Sequence, residues 1–295
     1  MRLATTVDNL AETFLEFWEL AKDKSVLEQA SLWETHYAEP HRAVLNFYEE
    51  HYNDLKMSPD RVFARYTDVI PNIHTVSASA GTAITGSVRK CAAALGVAET
   101  LGHHIVMVGR FSSNAWADLF GGVPTCFYAL ELISDLDTLA LMAAHETAHT
   151  LHHSVSDVPY NGVTVAETSM LEGLATMTSE VVVPGLSGKA YLWPGYETTT
   201  AGQKVEAWLV DCAAQQLELN RQLLNDLDKT DPATLGRYFG AGSTYRHAQT
   251  PVRAGYAVGY ALVRRLCQRY KLSDVARWNR ERIGLEIAET LVSRD

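Results

Sequence analysis

Two histidines four residues apart, with a glutamate directly after the first, stand inside an Ala- and Leu-rich run as His145-Glu146-Thr147-Ala148-His149. On an α-helix side chains four apart lie one above the other, whereas on a strand they stand about 13 Å apart, so joint use of these imidazoles demands helix at this point. The surroundings agree. Ser134, followed three residues later by Asp137, is a start signal of the capping-box kind, and no glycine or proline interrupts the chain from Asp135 to His153. The spacing predicts a helix over about 135–153 on which the His145 and His149 rings converge. Glu146 lies about 100° round that helix from His145, at the rim of the site and outside the ligand set.

Two imidazoles on one helical face suit zinc, which takes nitrogen and oxygen ligands tetrahedrally and keeps one position for water when the protein supplies three. A carboxylate must then come from elsewhere. Glu167, Glu172 and Glu180 all lie on the next predicted helix, about Val165 until Pro184 and Gly185. Glu172 is the preferred third ligand, because Gly173 and Ala175 let its helix approach closely, and Glu167 is next. Glu180 is a candidate for orienting a ligand histidine. His152 falls on the ligand face and His153 adjoins it, but three histidines of one helix would strain a tetrahedral site, so both read as structural.

Elsewhere the chain reads as helices around a few short strands. Asn9 to Leu55 is rich in helix formers and broken at Pro40, which gives two helices, and Ser58-Pro59 opens another toward Tyr66. The segment 75–86 fits loop and helix equally. His104–Val108 is β-branched and apolar on both faces, as a central strand is, with His103 and His104 at its start. Val123–Ile133 is a second strand, placed at an edge by Pro124, which cannot donate to a ladder. Long helices follow at about Lys204–Asp228 and Arg253–Tyr270. Strands early and helices late make the class α+β. Tyr191–Tyr196, YLWPGY, combines aromatics with turn residues and fits either a cleft lining or a lobe cap.

A net charge of −10 repels phosphate backbones and anionic lipid, which argues against nucleic acid and membrane partners. The acidic N-terminus and the lack of a long apolar run argue against export and membrane spanning. Four cysteines without CxxC spacing read as reduced, buried thiols in a cytoplasm.

HETAH followed by Glu172-Gly173-Leu174-Ala175 resembles the gluzincin, thermolysin-like clan of metallopeptidases, and more narrowly a family of predicted bacterial zinc-dependent proteases. The narrower likeness includes the strand before the helix and GYAVGYALV, Gly255–Val263, and covers about 102–270. It implies Zn2+ held by His145, His149 and Glu172, with Glu146 as general base. The implied fold is a small, mostly antiparallel sheet on the HExxH helix, with a helical C-terminal lobe and peptide substrate along the edge strand. Residues 1–75 are then an N-terminal helical segment and 76–295 the catalytic domain. Similar enzymes place a tyrosine or histidine downstream as oxyanion donor, and Tyr256 and Tyr260, on one helical face with His247 behind them, are the candidates. The expected activity is cleavage of peptides or small proteins. The alternatives are hydrolysis of a non-peptide amide or ester, and a non-enzymatic helical interaction protein; the oligomeric state is left open.

Overall fold

The computed structural model describes residues 2–51, 58–160, 162–240 and 250–293, and it is α+β with one four-stranded mixed sheet. Two compact units divide the chain, the first comprising 1–89 and 99–146 and the second 90–98 and 147–295.

The first unit opens on β1 (Arg2–Asn9), then α1 (Ala11–Ala21), α2 (Val26–Trp33) with a π-helical continuation at Glu34–Ala38, α3 (Arg42–His51) and α4 (Pro59–Ser77). Helix α5 (Ala80–Leu95) leads to β2 (Glu99–Met107), β3 (Ala115–Phe120), β4 (Val123–Ala129) and the start of α6 (Leu136–Val155). The break at Pro40 and the start at Pro59 fall where proline chemistry puts them. The stretch before Pro40 is divided further, however, because the Ser25 side chain and Glu28 form a capping box that starts α2. Residues 75–86, which fit two readings, finish α4 and begin α5.

The strand order is β1-β2-β4-β3; β1 and β4 flank β2 in parallel, and only β3 pairs antiparallel with β4. Antiparallel pairing is thus confined to one hairpin, and the expectation of a mostly antiparallel sheet gives way to a mixed one. β2 is central as its apolar run requires, although His103 and His104 lie within it, paired with Thr125 and Cys126. Val123–Ala129 is interior, not an edge. Pro124 is tolerated because the β2–β4 ladder begins only at Thr125, so its missing N–H costs no bond there. The edges are β1 and β3, which carry polar residues on short runs and gave no strand signal.

One core joins the sheet to its helices: Phe14, Trp33 and Tyr66 from the N-terminal helices, Val106 and Phe127 from the sheet, and Leu139 and Ala143 from α6. The apolar face of the first turns of α6 is thereby fixed on the sheet.

The second unit is helical: α7 (Val165–Val182), α8 (Gly188–Leu192), α9 (Val205–Ala214), α10 (Gln216–Asp226), α11 (Pro232–Phe239), α12 (Ala254–Leu266), α13 (Leu272–Val275) and α14 (Arg280–Val292). The predicted helix over 204–228 is split at Gln215, where the backbone leaves the helical region (φ −97°, ψ 6°). Helices α7 and α12 cross at glycines. A Cβ on Gly173 would lie 2.2 Å from the Gly259 carbonyl oxygen, and one on Gly259 would lie 2.4 Å from that of Ser169. Only glycine at both positions permits this approach.

Candidate metal centre

Helix α6 begins at a cap, but Asp135 supplies it in place of Ser134. Its carboxylate accepts the Thr138 amide at 2.7 Å, one residue later than the sequence signal suggested. From there the helix runs unbroken to Val155 and carries His145 and His149 on successive turns. Helix α7 begins at a reciprocal capping box, with the Glu167 amide donating to the Thr164 hydroxyl at 3.2 Å and the Thr164 amide donating to the Glu167 carboxylate at 3.2 Å. That cap starts α7, the helix on which Glu172 stands.

The ligand atoms of His145, His149 and Glu172 all lie within 4.8 Å of one another, and each residue is partly exposed. His149 Nε2 and a Glu172 carboxylate oxygen are 3.7 Å apart. Ligands about 2.0–2.1 Å from a tetrahedral zinc are separated by roughly 3.3–3.4 Å, so side-chain adjustments of an ångström or so complete the set. Two nitrogens and one oxygen, with partial exposure for a water or substrate, are the donors and the opening that a catalytic zinc site needs. The residues fit the ion.

Glu167, the runner-up for third ligand, is committed elsewhere. It is buried, its first oxygen accepts from Arg280 Nε, and its second accepts the Val163 amide at 2.7 Å as well as that of Thr164. Glu180 accepts the Tyr260 hydroxyl at 2.8 Å. It stands eight residues past Glu172 on α7, about 12 Å along the axis, so it does not orient a ligand histidine in this arrangement.

Glu146 is buried next to its ligand neighbour. His152 is buried completely, and neither ring nitrogen has a hydrogen-bond partner among the described residues. Burial, then the His149 and His153 rings, push its pKa down to about 3, so the ring is neutral at physiological pH. Of the two tyrosines, Tyr260 donates to Glu180, and burial followed by that carboxylate raises its phenol above the usual value. Tyr256 lies under the Arg253 guanidinium, 3.9 Å from its ring centroid. His247 lies outside the described residues. In YLWPGY the aromatics are less exposed than their type suggests: Tyr191 and Trp193 are buried, and the Tyr191 hydroxyl donates to the Val183 carbonyl at 2.8 Å, which fastens the end of α7.

Sequence reasoning missed two groups. Arg280, the partner of Glu167, is separated from it by 113 residues and carries no motif. Glu131 is a buried carboxylate that accepts the Gly109 amide at 2.8 Å and the Phe111 amide at 3.0 Å. A glutamate inside the apolar run Ala129–Ile133 was the available signal for it.

A family model described as "Predicted Zn-dependent protease (DUF2268)" matches residues 119–283, more than half of the chain. Neither the curated proteins nor the solved structures give a match.

Proposed function

The chain belongs to this family of predicted Zn-dependent proteases, and from that premise we propose that it is a metallopeptidase of the HExxH gluzincin type, acting on peptides or small proteins in the cytoplasm. The observation that carries the reading is the convergence of His145, His149 and Glu172 from two helices onto one point. The absence, among the described residues, of any helix long and apolar enough to cross a membrane is compatible with it.

Bound zinc supplies Lewis acidity there, polarising a carbonyl and easing ionisation of water. The rest of the chemistry falls to the chain's own residues. Glu146, one residue from a ligand and buried, takes the proton of the attacking water on a carboxylate oxygen and returns it to the departing amine. Its burial keeps bulk water from competing for that proton. Tyr256, one helical turn before Tyr260 on α12, supplies the donor for the developing oxyanion, while the Tyr260 hydroxyl donates to Glu180.

The test is Glu146→Gln in the zinc-loaded protein. Peptide hydrolysis should fall by about 10²–10⁴-fold with zinc stoichiometry unchanged, because a general base is lost and no ligand is. Activity near the parental level would overturn the assignment of the base. A peptide library left uncut by the zinc-loaded parent would instead favour a non-peptide amide or ester.

A further inference from the structure

Helix α7 carries five hydroxyl side chains, and they divide four to one. Thr168, Ser169, Thr178 and Ser179 each donate to the carbonyl four residues earlier, at 2.9, 2.7, 2.7 and 2.9 Å. This back-bond is the ordinary outlet for a hydroxyl inside a helix, because it satisfies the donor locally. Thr176 does not make it. The residue is fully buried, and its Oγ1 has no hydrogen-bond partner among the described residues. The carbonyl four residues before it belongs to Glu172, the carboxylate of the metal set.

A buried hydroxyl left unmatched destabilises a fold, and a valine of nearly the same shape would avoid that loss. The threonine is therefore unfavourable at this position unless its hydroxyl finds an acceptor. Helix geometry supplies one. Residues four apart on a helix have Cβ atoms about 5–6 Å apart, and a helical side chain leans toward the N-terminus, over the turn before its own. From position 176 that turn bears Glu172. Glu180, four residues the other way, accepts the Tyr260 hydroxyl. A carboxylate offers about four lone-pair sites, so a hydroxyl can be added to Glu172 without displacing a metal or another donor. His149 Nε2 stands 3.7 Å from a Glu172 oxygen, a little more than the roughly 3.3–3.4 Å between ligands of a tetrahedral zinc. The final placing of the carboxylate is thus a matter of small adjustments, which a neighbouring donor can bias.

We propose that Thr176 is a positioning residue of the metal centre: its hydroxyl donates to the Glu172 carboxylate and holds that group toward His145 and His149. The inference rests on the zinc reading above and deepens it. Thr176 touches neither the ion nor the substrate, and it acts through Glu172 alone.

Chelator competition on the full-length protein measures the zinc Kd, and thermal melting of metal-stripped samples measures the fold. Thr176→Val should weaken zinc binding about 10–100-fold, as loss of an outer partner of a ligand does, while Thr176→Ser, which keeps the hydroxyl, should stay within about threefold of the parent. The metal-stripped Thr176→Val protein should melt at the parental temperature or above, because the deleted hydroxyl is unmatched. A threonine needed only for packing would instead lower that midpoint. The route through Glu172 is isolated by a double-mutant cycle, in which Thr176→Val added to Glu172→Ala should change zinc binding by less than about twofold. Unchanged affinity in Thr176→Val, an equal loss in Thr176→Ser, a lowered melting midpoint, or the same loss with Glu172 already removed would each overturn the inference. A parent that takes up no zinc would overturn the metal centre and this inference with it, whereas zinc uptake indifferent to Thr176 would overturn this inference alone.

Discussion

The loop after β2 and helix α7 both bury glutamates, and they do so by opposite means. At the loop, Glu131 is held by two backbone amides, with no cation within hydrogen-bonding distance among its described contacts, and burial pushes its pKa up to about 7 against those donors. On α7, Glu167 is buried to the same degree but faces the Arg280 guanidinium as well as the helix-starting amides. Its neighbour one and a half turns on, Glu172, has the His149 imidazole. The partner determines what a buried carboxylate does. Amides alone hold a loop, a guanidinium anchors a helix end, and imidazoles arranged beside a carboxylate make a metal site.

The largest expected effect separates the last two roles. Glu172→Ala should weaken zinc binding on the order of 10²–10³-fold, because three ligands share a binding free energy on the order of 10 kcal/mol, and metal analysis after dialysis against a graded chelator reads it. Glu167→Ala should leave zinc occupancy unchanged in the same assay. The reverse pattern would move the third ligand to Glu167 and dissolve the contrast.

Next in size is the pH response of the loop. Folded Glu131 keeps its proton up to about pH 7, whereas in the unfolded chain it loses it near the ordinary 4.5. Between those values the folded state binds more protons, so this residue's contribution to stability is fully present below about pH 4.5 and lost as pH rises through 7. A shift of that size corresponds to something on the order of 3 kcal/mol. Denaturant titrations at a series of pH values should therefore show Glu131→Gln gaining on the parent by that amount between pH 4.5 and 7. A difference independent of pH would mean that the carboxylate is already ionised in the fold.

Smaller again is the helix anchor. Glu167→Ala removes a cap and one half of an ion pair whose arginine is half exposed, so the cost is about 1–3 kcal/mol in chemical denaturation. Arg280→Met should cost less, because the amides remain matched.

How far these roles can be read from sequence follows from the range of the interactions that fix them. His145, Glu146 and His149 are three residues of one helix, and helical period alone brings the two rings together. Glu172 needed a second helix, and its neighbour Gly173 marked the close packing, which the Gly173–Gly259 contact carries out against α12 rather than against α6. The capping box at Thr164 is local and its helix began where predicted. The strands were harder. β1 and β3 are edges whose residues alternate weakly, and Pro124 misled because a proline on an interior strand, just outside the β2–β4 ladder, looks in sequence like a proline at an edge. Arg280 was invisible because its partner is a glutamate 113 residues away, and Glu131, though marked by its place in an apolar run, could not be matched to the backbone of a distant loop.

The smallest effect concerns the third glutamate of α7. Glu180 holds the Tyr260 hydroxyl in a bond of 2.8 Å, partly exposed, so Tyr260→Phe should cost about 1 kcal/mol in stability or less. Its kinetic consequence is the sharper measure. If Tyr260 serves only this bond, kcat on a peptide substrate changes by no more than a few-fold, while Tyr256→Phe lowers kcat by about 10²–10³-fold with KM little altered, as loss of an oxyanion donor does. A collapse of kcat in Tyr260→Phe would show that the hydroxyl leaves Glu180 during turnover. Glu180 would then be the base that holds a catalytic phenol in reserve, and Glu180→Gln would change the pH profile of kcat rather than stability alone.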